Sequence, residues 1–265
     1  MAVGIELDGR AALVTGGGAG IGRAVCRWLA RAGADVAVAD LRGEAAEETA
    51  ALVAAEGVKA VALTVDATDP EQVGAMVDAA VAALGGLDVA VNNVGMTAGH
   101  GTAAFVDWSP QALRDVVGVN LMATAYSCQA EARAMIAAGR GGCIVNVSSG
   151  ETTRPAPGLA PYGAAKAAVN HLTQTLAVEL APHRIRVNAV APGTTLTAQV
   201  AASLSEEFQA SLLGAIPLGA LSEPDDMARL VLLVASDLAA HTTGQFLLSD
   251  NGAFLSRSRP PYEVR

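Results

Sequence analysis

Short apolar runs alternate along this chain with longer segments in which apolar residues recur at helical spacing. The runs are of strand length and end at turn residues, whereas the segments between them span roughly 10–15 residues. Strands that alternate with helices are joined by right-handed crossovers into a parallel sheet with helices on both faces. We therefore predict an α/β, doubly wound sheet of about seven parallel strands, over residues 10–15, 35–40, 59–65, 87–91, 143–147, 184–190 and 245–248.

The predicted helices fill the intervals between these strands. They cover residues 21–32, 43–56, 70–84, 110–117, 121–138, a segment that runs to about 180, and 224–236. No linker interrupts the pattern, so residues 1–265 are predicted to form a single domain.

Two segments lie outside the alternation. Residues 197–221 are apolar and Ser-containing, with a helical piece over 205–213, and follow a strand at the sheet edge where long insertions are usually lids. We predict that they form a substrate lid. Residues 256–265 form a polar, Pro-containing tail, which is either disordered or laid across a neighbouring subunit.

Composition and charge narrow the class of protein. Of the 265 residues 52% are hydrophobic, and the net charge of −9 argues against a nucleic-acid or anionic-membrane partner. Cys26, Cys128 and Cys143 are widely spaced without a metal-ligand pattern, which predicts reduced thiols and no metal site. The sequence has neither a long apolar run nor a signal peptide. Together these features predict a soluble, cytoplasmic protein.

A glycine-rich turn follows the first predicted strand. Gly16, Gly20 and Gly22 have the spacing G-x-x-x-G-x-G and lead into a helix. Such glycines permit a turn with positive φ and a close approach of phosphate to the helix N-terminus. Chance alone supplies roughly a third of one such match in this composition. Its position between a strand and a helix nevertheless predicts the phosphate loop of a Rossmann-type, NAD(P)-binding domain.

Asp40 ends the second predicted strand, 20 positions after Gly20. In doubly wound nucleotide-binding folds the acid at this place binds the adenosine ribose diol and repels a 2′-phosphate. The alternative is that Asp40 only ends a strand in a turn. Arg42 could accommodate a 2′-phosphate, but the glycine loop contains no basic residue. We therefore predict NAD as the cofactor in preference to NADP, with Arg42 leaving NADP use open.

The strongest chemical signal is a serine, a tyrosine and a lysine in one stretch. Tyr162 and Lys166 lie four residues apart, hence on one helical face, and Ser149 precedes them. Because the chain contains few tyrosines and lysines, a Tyr-x-x-x-Lys match is expected by chance only roughly 0.02 times. The hydroxyls of Ser149 and Tyr162, beside the ammonium of Lys166, could bind the oxygen of a carbonyl or an alcohol by hydrogen bonds.

These motifs together resemble the classical short-chain dehydrogenase/reductase family over nearly the whole chain. The resemblance rests on the segments 15–22, 92–95, 162–166 and 192–197. It implies a seven-stranded parallel sheet, a nicotinamide cofactor and a homo-oligomer, often a homotetramer, with a homodimer as the alternative. It also implies Asn120, Ser149, Tyr162 and Lys166 as catalytic residues. The implied cofactor contacts are Gly16, Gly18, Gly20, Ile21, Gly22, Asp40, Leu41, Asp66, Ala67, Asn93, Gly95, Tyr162, Lys166, Pro192, Gly193, Thr195 and Thr197.

Two positions depart from the family pattern. Val94 stands where Ala is common, which should not affect chemistry, and Asp250-Asn-Gly252 stands where Asp-Gly-Gly is usual. We expect the second departure to affect a subunit contact more than the active site.

The substrate is much less constrained by the sequence. We expect Ser149, Glu151 and Tyr162 to contact the substrate. Arg154 could pair with a substrate carboxylate, but an exposed loop arginine is the more common explanation. The segments 92–95 and 161–166 are similar to those of some cyclic-diol and cyclic-alcohol dehydrogenases of the family.

The predicted function is NAD(H)-dependent interconversion of a secondary alcohol and a ketone, with Tyr162 as general acid and base. Two alternatives stay open. One is an NADPH-dependent 3-oxoacyl-thioester reductase fed by an acyl carrier protein, against which Asp40 and the acidic net charge both argue. The other is a non-catalytic dinucleotide-sensing protein, which would typically have lost Tyr162 or Lys166.

Overall fold

Seven parallel strands form one sheet, which confirms the predicted fold class. The computed structural model describes residues 4–256, apart from the side chain of residue 203. The predicted tail therefore lies outside the described residues, except for Ser256. The strands are β1 (Ala11–Thr15), β2 (Asp35–Asp40), β3 (Ala60–Thr64), β4 (Val89–Asn92), β5 (Gly142–Val147), β6 (Ile185–Pro192) and β7 (Phe246–Ser249).

The strand order is β3-β2-β1-β4-β5-β6-β7. The chain therefore builds the sheet outward from β1, first to one side and then, through β4, to the other. All residues of β1 and β4 are buried, as expected for central strands covered on both faces, whereas β3 and β7 at the edges are only partly buried. The reversal between β1 and β4 creates the crevice in which ligands bind to open parallel sheets.

Helices cover both faces of the sheet. They are α1 (Gly20–Arg31), α2 (Gly43–Ala54), α3 (Pro70–Leu84), α4 (Pro110–Val117), α5 (Ala123–Ala138), α6 (Ala160–Leu180), α7 (Ala198–Ser203), α8 (Glu206–Ala215) and α9 (Pro224–Ala235). Residues of α1, α2 and α9 share one hydrophobic core with the sheet, and those of α3, α5 and α6 share a second. Over residues 4–256 no helix is long and apolar enough to cross a membrane.

Two local features differ from the sequence prediction. Helices α4 and α5, predicted as separate, are joined by one π-helical turn, Gly118–Met122. The segment 197–221 contains two helices, α7 and α8, rather than the single helical piece predicted. The short helix α7 was missed because six residues are too few for a periodic pattern. Its start is stabilised by Thr197, whose hydroxyl accepts a hydrogen bond from the Val200 N–H.

Candidate functional site

The predicted site residues gather at the carboxyl edge of the sheet. The glycine loop follows β1, and Asp40 and Leu41 lie where β2 ends. Asp66 and Ala67 follow β3, while Asn93 and Gly95 follow β4. Ser149 follows β5, and Pro192 ends β6, just before Gly193, Thr195 and Thr197. Because parallel strands all point the same way, residues from six strand ends surround one crevice.

The glycine loop and the start of α1 form an anion-binding geometry. The N-cap residue of α1, Ala19, provides no side-chain hydrogen bond to the first N–H groups of the helix. Those N–H groups can therefore bind an anion. A Cβ atom at Gly22 would collide with the carbonyl oxygen of Gly16, so the close packing of loop and helix requires glycine there.

Arg23 holds this loop in place, a role that the sequence analysis missed. Its Nη2 and Nε donate to the Gly18 carbonyl oxygen at 2.6 and 3.0 Å. The same guanidinium donates to Thr49 Oγ1 and Glu48 Oε2, both at 2.9 Å. Thr49 and Glu48 lie more than 20 residues further along the chain, so no local motif indicates the contact.

Asp40 lies beside the glycine loop with its carboxylate ordered by backbone donors. The Gly18 N–H donates to Asp40 Oδ2 at 2.9 Å, and the Arg42 N–H donates to Oδ1 at 3.0 Å. Each carboxylate oxygen keeps acceptor capacity for a second donor, such as a hydroxyl of a ribose diol. The Arg42 Nε lies 3.6 Å from Oδ1, but 66% of the Arg42 side chain is exposed, so the guanidinium is held loosely.

Other predicted cofactor residues complete the walls of the crevice. The Asn93 side chain donates from Nδ2 to the Gly16 carbonyl oxygen at 3.0 Å and thereby joins the loops after β1 and β4. The Asp66 carboxylate accepts from the N–H and hydroxyl of Thr68, which closes the turn after β3. A Cβ atom at Gly20 would lie 3.1 Å from Thr197 Cγ2, so the start of the 197–221 segment faces the glycine loop.

Lys166 is buried at the centre of this edge, with only 2% of its surface exposed. Its Nζ donates to the Val147 carbonyl oxygen at 2.8 Å and approaches that of Val94 at 3.5 Å. Burial lowers the pKa of the ammonium from its ordinary value to about 8. The group therefore stays mostly charged at neutral pH. Lys166 thus brings a cation to the ends of β4 and β5.

Asn120 approaches Lys166 from the π-helical turn. Its Nδ2 donates to the carbonyl oxygens of Met96 and Val116 at 2.7 and 2.8 Å. A Cβ atom at Gly95 would contact both Lys166 Nζ and Asn120 Oδ1, so these two polar atoms converge on the glycine. Single π turns within α-helices occur frequently at functional sites.

Ser149 lies two residues after Val147, which accepts from Lys166, and Tyr162 lies on the same helix as Lys166. Ser149 caps the 3₁₀ turn Gly150–Thr152, and its Oγ accepts from the Glu151 N–H at 3.1 Å. Tyr162 is half-buried one helical turn before Lys166 and packs on a small core that contains Trp108.

The hydroxyl of the neighbouring Ser148 forms hydrogen bonds with residues of α6. Its Oγ hydrogen bonds to Asn170 Oδ1 at 2.5 Å and lies 3.4 Å from the Lys166 carbonyl oxygen. Asn170 in turn donates to Thr152 Oγ1 at 3.0 Å, so these residues tie β5 and the 3₁₀ turn to α6. Of the two serines, Ser148 is thus engaged with α6, whereas Ser149 Oγ accepts from the neighbouring Glu151 N–H.

Fold and site together define a nucleotide-binding oxidoreductase, and comparison with known proteins gives its family. The model of the family described as Enoyl-(Acyl carrier protein) reductase matches residues 16–253. L-rhamnose 1-dehydrogenase (NAD(P)(+)) of Azotobacter vinelandii is 39% identical over 92% of this chain and 96% of its own length. The chain belongs to the short-chain dehydrogenase/reductase family.

Two further relatives are close in sequence or structure. The 2,5-dichloro-2,5-cyclohexadiene-1,4-diol dehydrogenase of Sphingobium indicum is 37% identical over 93% of this chain and 98% of its own length. A solved 7α-hydroxysteroid dehydrogenase, in complex with NADH and 7-oxo-glycochenodeoxycholic acid, superposes with a TM-score of 0.89. It is 32% identical, and the match covers 93% of this chain and 95% of that one.

Proposed function

We propose that the protein is an NAD(H)-dependent oxidoreductase that interconverts a secondary alcohol and a ketone, with Tyr162 as general acid and base. The observation that supports this most directly is the buried ammonium of Lys166, one helical turn from Tyr162 at the carboxyl edge of the sheet. The names of the relatives, dehydrogenases of a sugar, a cyclic diol and a steroid alcohol, agree with this class of reaction.

Lys166 makes Tyr162 a usable base. An isolated phenol has a pKa near 10, and lowering it toward ~7 requires about 4 kcal/mol of differential stabilisation. A buried cation one helical turn away favours the phenolate by opposite charge. Tyr162 then accepts the alcohol proton during oxidation and returns it during reduction. The Ser149 hydroxyl donates to the reacting oxygen and stabilises its developing negative charge.

The crevice suits a nicotinamide dinucleotide. The glycine loop and the α1 N-terminus would hold the pyrophosphate, and Asp40 the adenosine ribose. Lys166 would bind the nicotinamide ribose, with Asn93, Gly95 and Thr197 nearby. The oxidised nicotinamide ring, when bound, would accept the hydride from the alcohol carbon. Asn120, whose Oδ1 converges with Lys166 Nζ at Gly95, would help to pass a proton from Lys166 toward solvent.

We further propose NAD as the preferred cofactor, because the Asp40 carboxylate faces the loop where a 2′-phosphate would lie. Arg42 is too loosely held to outweigh that repulsion. The segment 197–221 would act as the lid of the single domain. A cytoplasmic homotetramer is proposed from the family resemblance, and the exposed apolar residues Ile136 on α5 and Val178 on α6 support a subunit contact there.

The test is an initial-rate assay with NAD and NADP against secondary alcohols and cyclic diols, repeated with Tyr162→Phe. We expect turnover with NAD, at least a thousandfold lower in the variant, while NAD binding measured by calorimetry stays within threefold. Retained activity in Tyr162→Phe would refute the proposed role. Preference for NADP with a 3-oxoacyl thioester would instead support the reductase alternative. Tight cofactor binding without any turnover would support a sensor.

A further inference from the structure

Glu151 and Arg154 form a charged pair within and just after the 3₁₀ turn that Ser149 caps. Glu151 belongs to the 3₁₀ turn that Ser149 caps, and its N–H donates to Ser149 Oγ. Only 6% of the Glu151 side chain is exposed, the same fraction as for Ser149. A Cβ atom at Gly163, the residue after Tyr162, would lie 3.9 Å from the Glu151 carbonyl oxygen. The Glu151 backbone therefore contacts Ser149 Oγ and lies against the start of α6 at Gly163, which follows Tyr162 in the chain.

Arg154 faces the Glu151 carboxylate and is not the exposed loop arginine that the sequence suggests. Its side chain is 23% exposed, and its guanidinium carbon lies 5.0 Å from the centroid of the Phe254 ring. Phe254 is fixed in turn, because its N–H donates to Asp250 Oδ2 at 2.6 Å and its ring covers Gly150. Arg154 is thus held beside the 3₁₀ turn Gly150–Thr152 by packing as well as by charge.

The contact within the pair is too long for a hydrogen bond. Arg154 Nη2 lies 3.8 Å from Glu151 Oε2, and the buried Arg154 Nε has no hydrogen-bond partner among the described residues. A buried polar atom without a partner is costly and rare, and a missing ligand is one explanation for it. A small polar group could bridge a carboxylate and a guanidinium at this separation, if it donates one hydrogen bond to the carboxylate and accepts one from the guanidinium.

A hydroxyl is such a group, because it can donate to Glu151 and accept from Arg154 at once. We propose that Glu151 and Arg154 bind a second hydroxyl of the substrate, on the carbon adjacent to the one that reacts at Ser149 and Tyr162. This inference rests on the proposed function and names its substrate class as neutral vicinal diols, including the ring diols of sugars. A substrate carboxylate fits less well, since Glu151 would repel it.

The size of the preference follows from the polar groups involved. A site built to hydrogen-bond a substrate hydroxyl discriminates strongly against the analogue without it, by up to ~10⁴-fold where the site is fully enclosed. Because Arg154 remains partly exposed, water can replace the missing hydroxyl in part. We therefore expect a smaller ratio, on the order of 10–100-fold in kcat/KM.

The experiment compares alcohols that differ only in the second hydroxyl: 2,3-butanediol with 2-butanol, and 1,2-cyclohexanediol with cyclohexanol. We expect the wild-type enzyme to prefer each diol at least tenfold in kcat/KM with NAD. Glu151→Ala and Arg154→Leu should each reduce the diol-to-alcohol ratio toward one, and Glu151→Gln should give an intermediate ratio. Glu56→Ala is the matched control, because Glu56 also pairs with an arginine, Arg31, but on the protein surface. It should leave the ratio unchanged.

Binding to the Tyr162→Phe protein in the presence of NAD, measured by saturation-transfer NMR, separates this inference from the proposed function. If the alcohols turn over with a ratio near one, or if Glu151→Ala leaves a high ratio unchanged, the second-hydroxyl site is refuted and the oxidoreductase remains. If nothing turns over but 1,2-cyclohexanediol binds better than cyclohexanol and loses that advantage with Glu151→Ala, the site is supported and the proposed reaction fails.

Discussion

The side-chain amide of Asn251 donates to the carbonyl oxygen of Ala220 at 2.8 Å. The same Nδ2 lies 3.2 Å from Ser222 Oγ, and the Asn251 carbonyl oxygen accepts from the Leu218 N–H at 3.2 Å. Ser222 also forms an isolated β-bridge with Thr195, at the other end of the proposed lid. Asn251 therefore fastens the two-stranded base from which the lid helices extend.

Replacing Asn251 by Gly should loosen the lid without disturbing the backbone. Asn251 has a φ of 57°, a conformation that glycine adopts freely, so Asn251→Gly removes the two side-chain hydrogen bonds without adding strain and keeps the backbone bond from Leu218. Each lost bond is worth about 1 kcal/mol, which predicts a rise in KM for the alcohol of about 3–10-fold with a smaller change in kcat. Steady-state kinetics check this, with a urea titration to verify folding. An unchanged KM would mean that the lid does not depend on Asn251.

The position of Asn251 shows where sequence reasoning stops. The departure from Asp-Gly-Gly is visible in the sequence, but the contacts of this side chain with residues 220 and 222, some 30 positions earlier in the chain, are not. The bond between Arg23 and Glu48 is equally non-local. Such contacts depend on how distant segments of the chain pack together. The local periodicity of apolar residues therefore cannot predict them.

Local patterns, in contrast, predict what depends on neighbouring residues. The apolar runs predict the strand bounds to within two residues, because each strand packs at least one face against the helices that cover the sheet. The spacing from Gly20 to Asp40 indicated a carboxylate beside the loop, since one strand, one turn and one helix separate them. The π turn at Asn120 was not predictable, because a π turn changes one hydrogen bond within an otherwise regular helical pattern.

Cofactor preference should follow Asp40. In Asp40→Ser the charge that repels a 2′-phosphate is gone, and the shorter side chain leaves room beside the glycine loop. We expect the ratio of kcat/KM for NADP to that for NAD to rise about 10–100-fold, equivalent to about 1.4–2.8 kcal/mol. Arg42→Ala in the same background should reverse part of the gain. If the ratio does not move in Asp40→Ser, the assignment of Asp40 is wrong.

Arg186 closes the C-terminal end of α9. From β6 its guanidinium donates to the carbonyl oxygens of Val234, Ala235, Ser236 and Thr242 at 2.9–3.3 Å. A cation there also complements the negative end of the helix dipole. Arg186→Met should lower the free energy of unfolding by about 2–4 kcal/mol, since the buried acceptors lose their donor. Arg186→Lys should recover part of that loss.

Urea unfolding of these variants measures the effect. The control is Arg10→Met, which removes an exposed arginine 3.6 Å from Asp237 and should change stability by less than about 0.5 kcal/mol. Equal losses in Arg186→Met and Arg10→Met would contradict the role of Arg186 at the helix end.

Glu131 is a fully buried carboxyl between α5 and the sheet. Its Oε2 accepts from Asn92 Nδ2 at 2.9 Å, and that amide also lies 3.1 Å from Asn146 Oδ1. The titratable group nearest to Glu131 along α5 is the thiol of Cys128, which lies one turn earlier and is also buried. Burial raises the pKa of Glu131 to about 7, although the Asn92 hydrogen bond opposes the shift. The carboxyl therefore titrates near neutrality, far above its value in the unfolded chain.

Replacing Glu131 by Gln should stabilise the protein at high pH only. Between the unfolded pKa near 4.3 and the folded value of about 7, the native state binds more protons, so stability falls as pH rises and then levels off. Glu131→Gln has no proton to lose. Its free energy of unfolding relative to wild type should therefore increase by about 2–3 kcal/mol between pH 5 and pH 8, measured by urea titration at each pH. The exposed Glu179→Gln is the control and should give a flat difference. A flat difference for Glu131→Gln as well would mean that the buried carboxyl keeps an ordinary pKa, with its charge stabilised by the Asn92 amide.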